Sequence, residues 1–505
     1  MLDDFHPYQP LLSPGKRIWF IGVGGISMSG LAELALARGQ KVGGSDNHPN
    51  DLCDKLSSLG AEIALSQEGE NIRRFRPDAV VFSAAIPADN PELLAAREAG
   101  IPTLERADWL GLLNREFPAV INVAGTNGKS TTVSMLSSIC LDAGLDPTIH
   151  LGAELQRFGS TVHAGGSQLM ISEACEFNYS FLSFYSTIAA VLNLGHDHVD
   201  IFPEMHDVID SFARFLARLQ PGAKVVLPSF DPHMPELLRL WDEKAPGLRG
   251  QVEIFTFGYP DDRLLDKAPD LCCERLTYKA GLPQFELSFQ GKPLGEFSLL
   301  IPGRFNVENA MAALLLAHLA GVDFAQGRSS LAAFEGAEGR FTVCGEYRKA
   351  VIVADYAHHP DSVKLTLEAA HELPHKRLYA CFQPITYSRA KGLCEGYVDA
   401  LKNEDPAILL EVYDSREKDH SFSSSCISEK INELGGNALF MQTPADLEAY
   451  LRDKLEAGDL VLLMGQDIRF VGDRLCGRTD HYAGRKSVAE EWSGQKSGKE
   501  AQGQG

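Results

Sequence analysis

A lysine and a run of hydroxyls stand directly behind a glycine-punctuated turn at Gly125-Thr126-Asn127-Gly128-Lys129-Ser130-Thr131-Thr132. These residue types suit an anionic phosphate. Backbone N–H groups and the positive end of a following helix can face the phosphate oxygens, the Lys129 ammonium adds a point charge, and Ser130 or Thr131 can reach a magnesium ion. The spacing from Gly125 to Lys129 is shorter than in the usual phosphate-loop motif. An apolar run (Val120, Ile121, Val123, Ala124) precedes the turn and a helix-compatible pattern follows it, which is how a strand, a phosphate cradle and a helix N-terminus read in sequence.

Further groups gather at other strand ends. Glu173 closes an apolar run, where a carboxylate is costly to bury unless it binds a cation. His196, Asp197, His198 and Asp200 crowd the exit of a later one. Ligands of open α/β sheets bind beyond the carboxyl ends of the strands, so Ser130, Glu173 and His198 are expected to face magnesium beside a bound nucleotide, with His196 read as structural. Near the start, Gly22-x-Gly24-Gly25-x-Ser27 resembles a dinucleotide turn, and Asp46 lies near the spacing of a ribose-binding carboxylate. Ser27 and Met28 occupy the place of the third glycine, so a nucleotide diphosphate is expected at Gly24, Gly25, Ser27 and Asp46 rather than a nicotinamide cofactor. Asn306 and Asn309 sit at i and i+3 on the first turn of an apolar helix, as helix caps or as contacts to a base or ribose. Asp355, Tyr356, His358 and His359 precede Pro360; the two histidines can be read as a metal pair, but the neighbouring carboxylate and ring suit recognition of a small substrate better. Arg389 can neutralise a carboxylate or a phosphate, or form a surface salt bridge.

The elements that must position these groups alternate. Strand patterns at 18–23, 41–43, 78–83 and 101–104 are interleaved with helices ending at Gly39 and Gly100, the latter opened by Asn90-Pro91. A second set begins at the phosphate loop, with strands at 168–172, 187–193 and 224–227 and a helix over 206–219. Residues 251–300 are richer in β-like segments and read as an antiparallel insert or edge. A third set has strands at 350–354, 378–382, 407–411 and 460–464. The expected fold class is α/β in three domains: an N-terminal Rossmann-like domain over 16–118 behind an extension at 1–15, a central P-loop ATPase-type α/β domain over 119–338, and a C-terminal Rossmann-like α/β domain over 339–485. A polar, Gly-rich tail at 486–505 is expected to be disordered.

Composition narrows the function. The 505 residues carry 47 basic and 68 acidic side chains, a formal charge of −21, which disfavours non-specific binding to nucleic acid or anionic lipid and means that an anionic substrate needs a local cationic pocket. Ten cysteines are spread without paired C-x-x-C or zinc spacing, as expected for free thiols in a reducing cytosol. The N-terminus lacks the form of a signal peptide and no long apolar run is present, so no membrane insertion is expected.

Taken together and in order, the phosphate loop, SEACE, the HDH segment, DYAHHP and FQP-x-TYSR resemble the Mur ligases, as do IGVGGISMSGLAELA near the start and MGQDIRFVG near the end. The resemblance covers roughly residues 16–480. It implies a first domain for the UDP moiety of a sugar nucleotide, a central ATPase domain, and a third domain that helps to bind ATP and the incoming amino acid. It assigns Gly125, Thr126, Asn127, Gly128, Lys129, Ser130 and Thr131 to the ATP phosphates, Lys129 to the transferred phosphoryl group, and Ser130, Glu173 and His198 to Mg2+. Asn306 and Asn309 match adenine-side contacts, Arg340 a phosphate contact and Asp355 a ribose carboxylate; Tyr356, His358 and Arg389 match positions around the amino acid and the muramyl carboxylate. Lys129, Glu173, His198 and Arg389 form the implied catalytic set. The implied reaction is ATP-dependent amide formation between UDP-N-acetylmuramate and L-alanine through an acyl phosphate, in cytoplasmic peptidoglycan synthesis, by a monomer or weak homodimer. Its alternatives are a recycling ligase that attaches a preformed peptide and a non-catalytic nucleotide-binding paralogue. The chain departs from the usual family residues at Asn127, Phe305 and Ile385, each in place of histidine, and at Ser130 in place of threonine.

Overall fold

Parallel strands need a crossover long enough to hold a helix, and the helices between the apolar runs supply it. The computed structural model describes residues 4–155, 157–198, 201–413, 420–466 and 468–478, so Asp200 and the tail lie outside the described residues. The first sheet contains β1 (Arg17–Ile21), β2 (Lys41–Ser45), β3 (Glu62–Ala64), β4 (Ala79–Phe82) and β5 (Thr103–Glu105), all parallel, in the order β3-β2-β1-β4-β5. Chain direction across the sheet reverses between β1 and β4, which opens a crevice at their carboxyl ends. The helix Ile26–Ala37 starts there. The helix Pro91–Glu98 begins as its sequence requires, with the Asn90 side chain accepting from the N–H groups of Glu92 and Leu93. Trp19, Phe75, Val80 and Leu93 fill one face, and a Cβ at Gly43 would meet the Trp19 ring at 2.6 Å, so that glycine is required by the indole.

The second set comprises β6 (Ala119–Ala124), β7 (Thr148–Leu155), β8 (Ser160–His163), β9 (Leu169–Glu173), β10 (Ile188–Val191) and β11 (Lys224–Pro228), in the order β11-β10-β6-β9-β7-β8. All neighbours are parallel except the edge hairpin β7-β8. The strand that feeds the phosphate loop, β6, is central. Its successor, the helix Lys129–Asp142, is buried at every position from Ser130 to Cys140.

Next come β12 (Glu253–Gly258), β13 (Leu271–Lys279), β14 (Leu282–Phe289) and β15 (Lys292–Ser298). The pairs β13-β14 and β14-β15 are antiparallel as expected for this segment, but β12 joins β13 in parallel. The last sheet has β16 (Thr342–Tyr347), β17 (Ala350–Asp355), β18 (Leu378–Phe382), β19 (Ala407–Leu410), β20 (Ala438–Met441) and β21 (Leu460–Met464), in the order β16-β17-β21-β18-β19-β20. It is parallel apart from β16. By compactness the chain forms two bodies, one of residues 1–194, 209–256 and 312–322 and the other of 195–208, 257–311 and 323–505. No helix among the described residues is long and apolar enough to cross a membrane.

One buried acid gives the first sheet a pH dependence. Glu92 has no solvent exposure, and its carboxyl is contacted by Ser45 Oγ and by Asn71 Nδ2 at 2.7 Å. Burial pushes its pKa above the ordinary 4.5, against the pull of those two hydrogen bonds. A raised folded-state pKa means that the contribution to stability is complete below the unfolded value and is lost as pH rises through the folded one. Glu92→Gln, which keeps the shape without the titration, should therefore gain stability relative to the unmodified chain as pH rises above 4.5; thermal melts from acid to neutral pH check this, and a constant difference between the two proteins contradicts it.

Candidate active site

The turn after β6 is shaped by two glycines in left-handed backbone, Gly125 at φ +144° and Gly128 at φ +84°. A Cβ on Gly125 would meet Leu192 Cβ at 2.9 Å, so the strand end beside it forbids a side chain. Asn193, just past β10, fixes the loop. Its carbonyl accepts from Thr126 N–H at 3.2 Å, its Oδ1 accepts from Asn127 N–H at 2.8 Å, and its Nδ2 donates to the Asn127 carbonyl at 2.9 Å. These bonds use only the backbone of Asn127. The helix that follows has Gly128 at its N-cap, no capping side chain and no acid of its own in its first turn.

Lys129 points back into this turn. Its Nζ donates to the carbonyls of Gly125 and Thr126 and to Glu176, 2.9 Å from Oε2. Burial alone would lower the lysine pKa, but Glu176 outweighs it and the net shift is upward, so the ammonium keeps its proton. Glu173, at the end of β9, accepts from Gly152 N–H at 2.7 Å, and a Cβ on Gly152 would lie 2.7 Å from that carboxylate. The residue that sequence reasoning passed over is Glu176. It lay inside the quoted SEACE segment, and its only signal was a second carboxylate shortly after the first.

The first glycine turn is built from different parts. Asp46, expected as a substrate contact, commits both oxygens to the turn itself, accepting from Gly24 N–H and from His48 N–H at 2.9 Å each. Ser27 Oγ receives Arg106 Nη1 at 3.1 Å and lies 3.1 Å from His150 Nε2. Burial, and then the Arg106 charge, hold His150 down at about 4, so the imidazole is neutral. Burial lowers the Arg106 pKa, against the pull of Cys175 and Glu105. Neither Arg106 nor His150 was legible as part of this site, because their strands and helix are remote in sequence from Ser27.

In the second body, Asp197 collects the charged groups. Arg389 Nε donates to its Oδ1 at 3.0 Å, His198 Nε2 is 3.7 Å and His358 Nε2 3.9 Å from its Oδ2. Burial alone would raise the Asp197 pKa; His198, Arg389 and His358 reverse this and hold it below the usual carboxylate range. The His358 ring donates from Nδ1 to the Tyr356 carbonyl at 2.9 Å, and burial, followed by Arg389, pushes it down to about 3. His198, expected as a metal ligand, accepts from Arg389 Nη2 at Nδ1 (3.3 Å) and turns its other nitrogen toward Asp197. Both ring nitrogens thus face groups of the Asp197 cluster. Arg389 is likewise not a surface salt bridge, since its side chain is 13% exposed and its carboxylate partner 7%.

His359 donates to the His196 carbonyl at 3.0 Å and caps the helix Pro360–His371. Asn306 and Asn309 do not cap their helix. Asn306 Nδ2 donates to the Pro302 carbonyl at 2.7 Å, and Asn309 Nδ2 to Asn306 Oδ1 at 3.3 Å. Asp355 accepts from the N–H groups of Phe341 and Ala357 at 2.7 Å each, while the Arg340 guanidinium lies over the Tyr356 ring at 4.8 Å. No cluster of three or more histidine, cysteine or acidic side chains suited to a metal occurs among the described residues.

Parallel sheets opening on a phosphate loop with a buried lysine, together with a glycine turn flanked by an arginine, define an α/β enzyme of the nucleotide-binding kind. Three family models match consecutive stretches: the Mur ligase family catalytic domain at 17–118, the Mur ligase middle domain at 123–317 and the Mur ligase glutamate ligase domain at 339–466. A UDP-N-acetylmuramate–L-alanine ligase of Alkaliphilus metalliredigens is 37% identical over 89% of this chain and 94% of its own, and one of Agathobacter rectalis is 38% identical over 91% and 97%. The crystal structure of a UDP-N-acetylmuramate-alanine ligase from Thermotoga maritima shares the fold, with a TM-score of 0.74 at 24% identity over 91% of this chain and 98% of that one. The chain belongs to the Mur ligase family.

The Asp197–Arg389 pair should be energetically coupled. A double-mutant cycle on Asp197→Ala and Arg389→Ala, followed by denaturant unfolding, is expected to give a coupling of about 2 kcal/mol, because removal of either partner leaves a buried charge exposed to a low-dielectric surrounding. Additive losses would mean that solvent screens the pair.

Proposed function

We propose that this chain is an ATP-dependent ligase that joins L-alanine to the muramyl carboxylate of UDP-N-acetylmuramate, in the cytoplasm, for peptidoglycan synthesis. The observation that carries the reading is likeness over nearly the whole length to ligases of that name, at 37–38% identity, with a phosphate loop whose lysine is buried and charged.

The loop fits a nucleotide. Its helix N-terminus carries no acid of its own in the first turn, and Lys129 Nζ is held by carbonyls and Glu176 in a place where phosphate oxygens can replace them. ATP supplies the phosphoryl group that activates the sugar carboxylate as an acyl phosphate; attack by the amine of L-alanine on the acyl carbon then forms the amide and releases phosphate. Lys129 offsets charge on the transferred group, and the N–H groups of Gly128, Lys129, Ser130 and Thr131 at the helix start orient it. Ser130 and Glu173 would hold Mg2+ together with phosphate oxygens and water, which suits an ion that seldom takes an all-protein cage. Gly24, Gly25, Ser27 and Arg106 would face the UDP-sugar. Asn306 and Asn309 would face adenine, with Arg340 and Asp355 nearer phosphate and ribose. Tyr356, His358 and Arg389 would line the amino-acid side, where Arg389 orders the Asp197 cluster and meets a substrate carboxylate only by sharing that bond. The proposed domain limits are 16–118, 119–338 and 339–485.

Phosphate release from ATP should require both UDP-N-acetylmuramate and L-alanine. A tripeptide used better than L-alanine would favour the recycling ligase, and release independent of either substrate would leave only a nucleotide-binding protein. Lys129→Ala should lower the ligation rate roughly a hundredfold or more, about 3 kcal/mol of transition-state stabilisation, while UDP-sugar binding measured by calorimetry persists. Loss of both together would place the sugar nucleotide wrongly.

A further inference from the structure

The helix Arg304–Leu319 is held on one side by a small polar cluster that the proposed reaction does not use. Tyr259, just past β12, donates its hydroxyl to Glu308 Oε1 at 3.1 Å and accepts from Arg304 Nε at 3.0 Å. Arg304 Nε also reaches Glu308 Oε1 at 3.2 Å, and its guanidinium lies over the Tyr259 ring, 4.1 Å from the centroid. Tyr259 itself is fixed, since its N–H donates to Asp262 Oδ2 at 2.7 Å.

Helical geometry gives this cluster a consequence. At about 100° per residue, Arg304 and Glu308 share one stripe, while Asn306 and Asn309 fall on a stripe centred about 150° away. Between the two stripes, Phe305 packs against the core of the last sheet near Ala369, and a Cβ on Gly303 would collide with its ring. The first turn is therefore gripped on the tyrosine side and wedged at Phe305. A helix so held cannot roll, and rolling is the movement that would re-aim the two asparagines.

We propose that Tyr259, Arg304 and Glu308 are positioning residues: they clamp the rotation of this helix and thereby set how Asn306 and Asn309 meet the base of the nucleotide. The inference rests on the adenine reading of those asparagines.

Steady-state kinetics of the full-length enzyme test it. Tyr259→Phe keeps the ring and its cation contact but removes both hydroxyl bonds. It should raise KM for ATP about five- to tenfold and narrow the preference for ATP over GTP, with kcat and the KM values for L-alanine and UDP-N-acetylmuramate nearly constant. Glu308→Gln, which still accepts from the tyrosine hydroxyl, should stay close to the unmodified enzyme, whereas Glu308→Ala should follow Tyr259→Phe. Asn309→Ala serves as the control for the adenine reading. If it raises KM for ATP and Tyr259→Phe does not, the clamp is overturned and the adenine reading stands; if neither variant changes KM for ATP, both are overturned. A joint shift of all three KM values with the melting temperature would make the cluster a structural brace and overturn the positioning role.

Discussion

A buried lysine ammonium turned onto two backbone carbonyls must have a counter-charge, and Glu176 supplies it at 2.9 Å. Without it, burial would favour the neutral amine and the loop would lose the one cation it aims at phosphate. Much of the central architecture follows from this pair. Lys129 must begin a helix, Glu176 must lie beyond the end of the neighbouring β9, and the two strands must run parallel so that both ends meet. The central place of β6 and the glycine conformations of the loop meet those demands. The same ammonium that the proposed reaction needs is satisfied internally when no nucleotide is bound, so binding exchanges partners rather than creating a buried charge.

The second body solves the opposite problem. There a carboxylate, Asp197, is buried, and cationic or imidazole groups from separate elements surround it. Arg389 comes from the helix after β18, His358 from the turn after β17, and His198 from the loop that carries Asp197 itself. A guanidinium that would otherwise attract any passing anion is thereby tied to one acid. His358 acts as a neutral spacer in this cluster: it holds its proton on Nδ1 for a backbone carbonyl and remains uncharged.

Much of this was legible because apolar runs of strand length stood between clear helix signals. The strands at 378–382 and 460–464 match β18 and β21, and the phosphate loop, its strand and its helix fall where the glycines and the lysine put them. The strands that escaped reading have physical reasons. β3 is three residues long at an edge, β13 carries charged residues along its exposed half, β7 contains Gly152, and β16 is interrupted by a register shift at Gly345. Sites suffered in another way. Sequence identifies which residue types can do chemistry, but partners distant in the chain decide what they do. Asp46 ties its own turn, His359 caps a helix, and Asn306 donates to a carbonyl, while Glu176, Arg106 and Asn193 become important only once folding brings them to their neighbours.

Gly152 illustrates how far such dependence extends. Its backbone is in a region open to every amino acid and it lies at the surface, so nothing local asks for glycine. Yet its N–H grips Glu173, and the space a side chain would need is filled by that carboxylate. Even alanine would press on the acid proposed to face the metal. Mutational drift at this position is therefore closed for a neighbour's sake, and an exposed position of β7, where substitutions are ordinarily tolerated, becomes one that selection on the reaction itself should hold fixed.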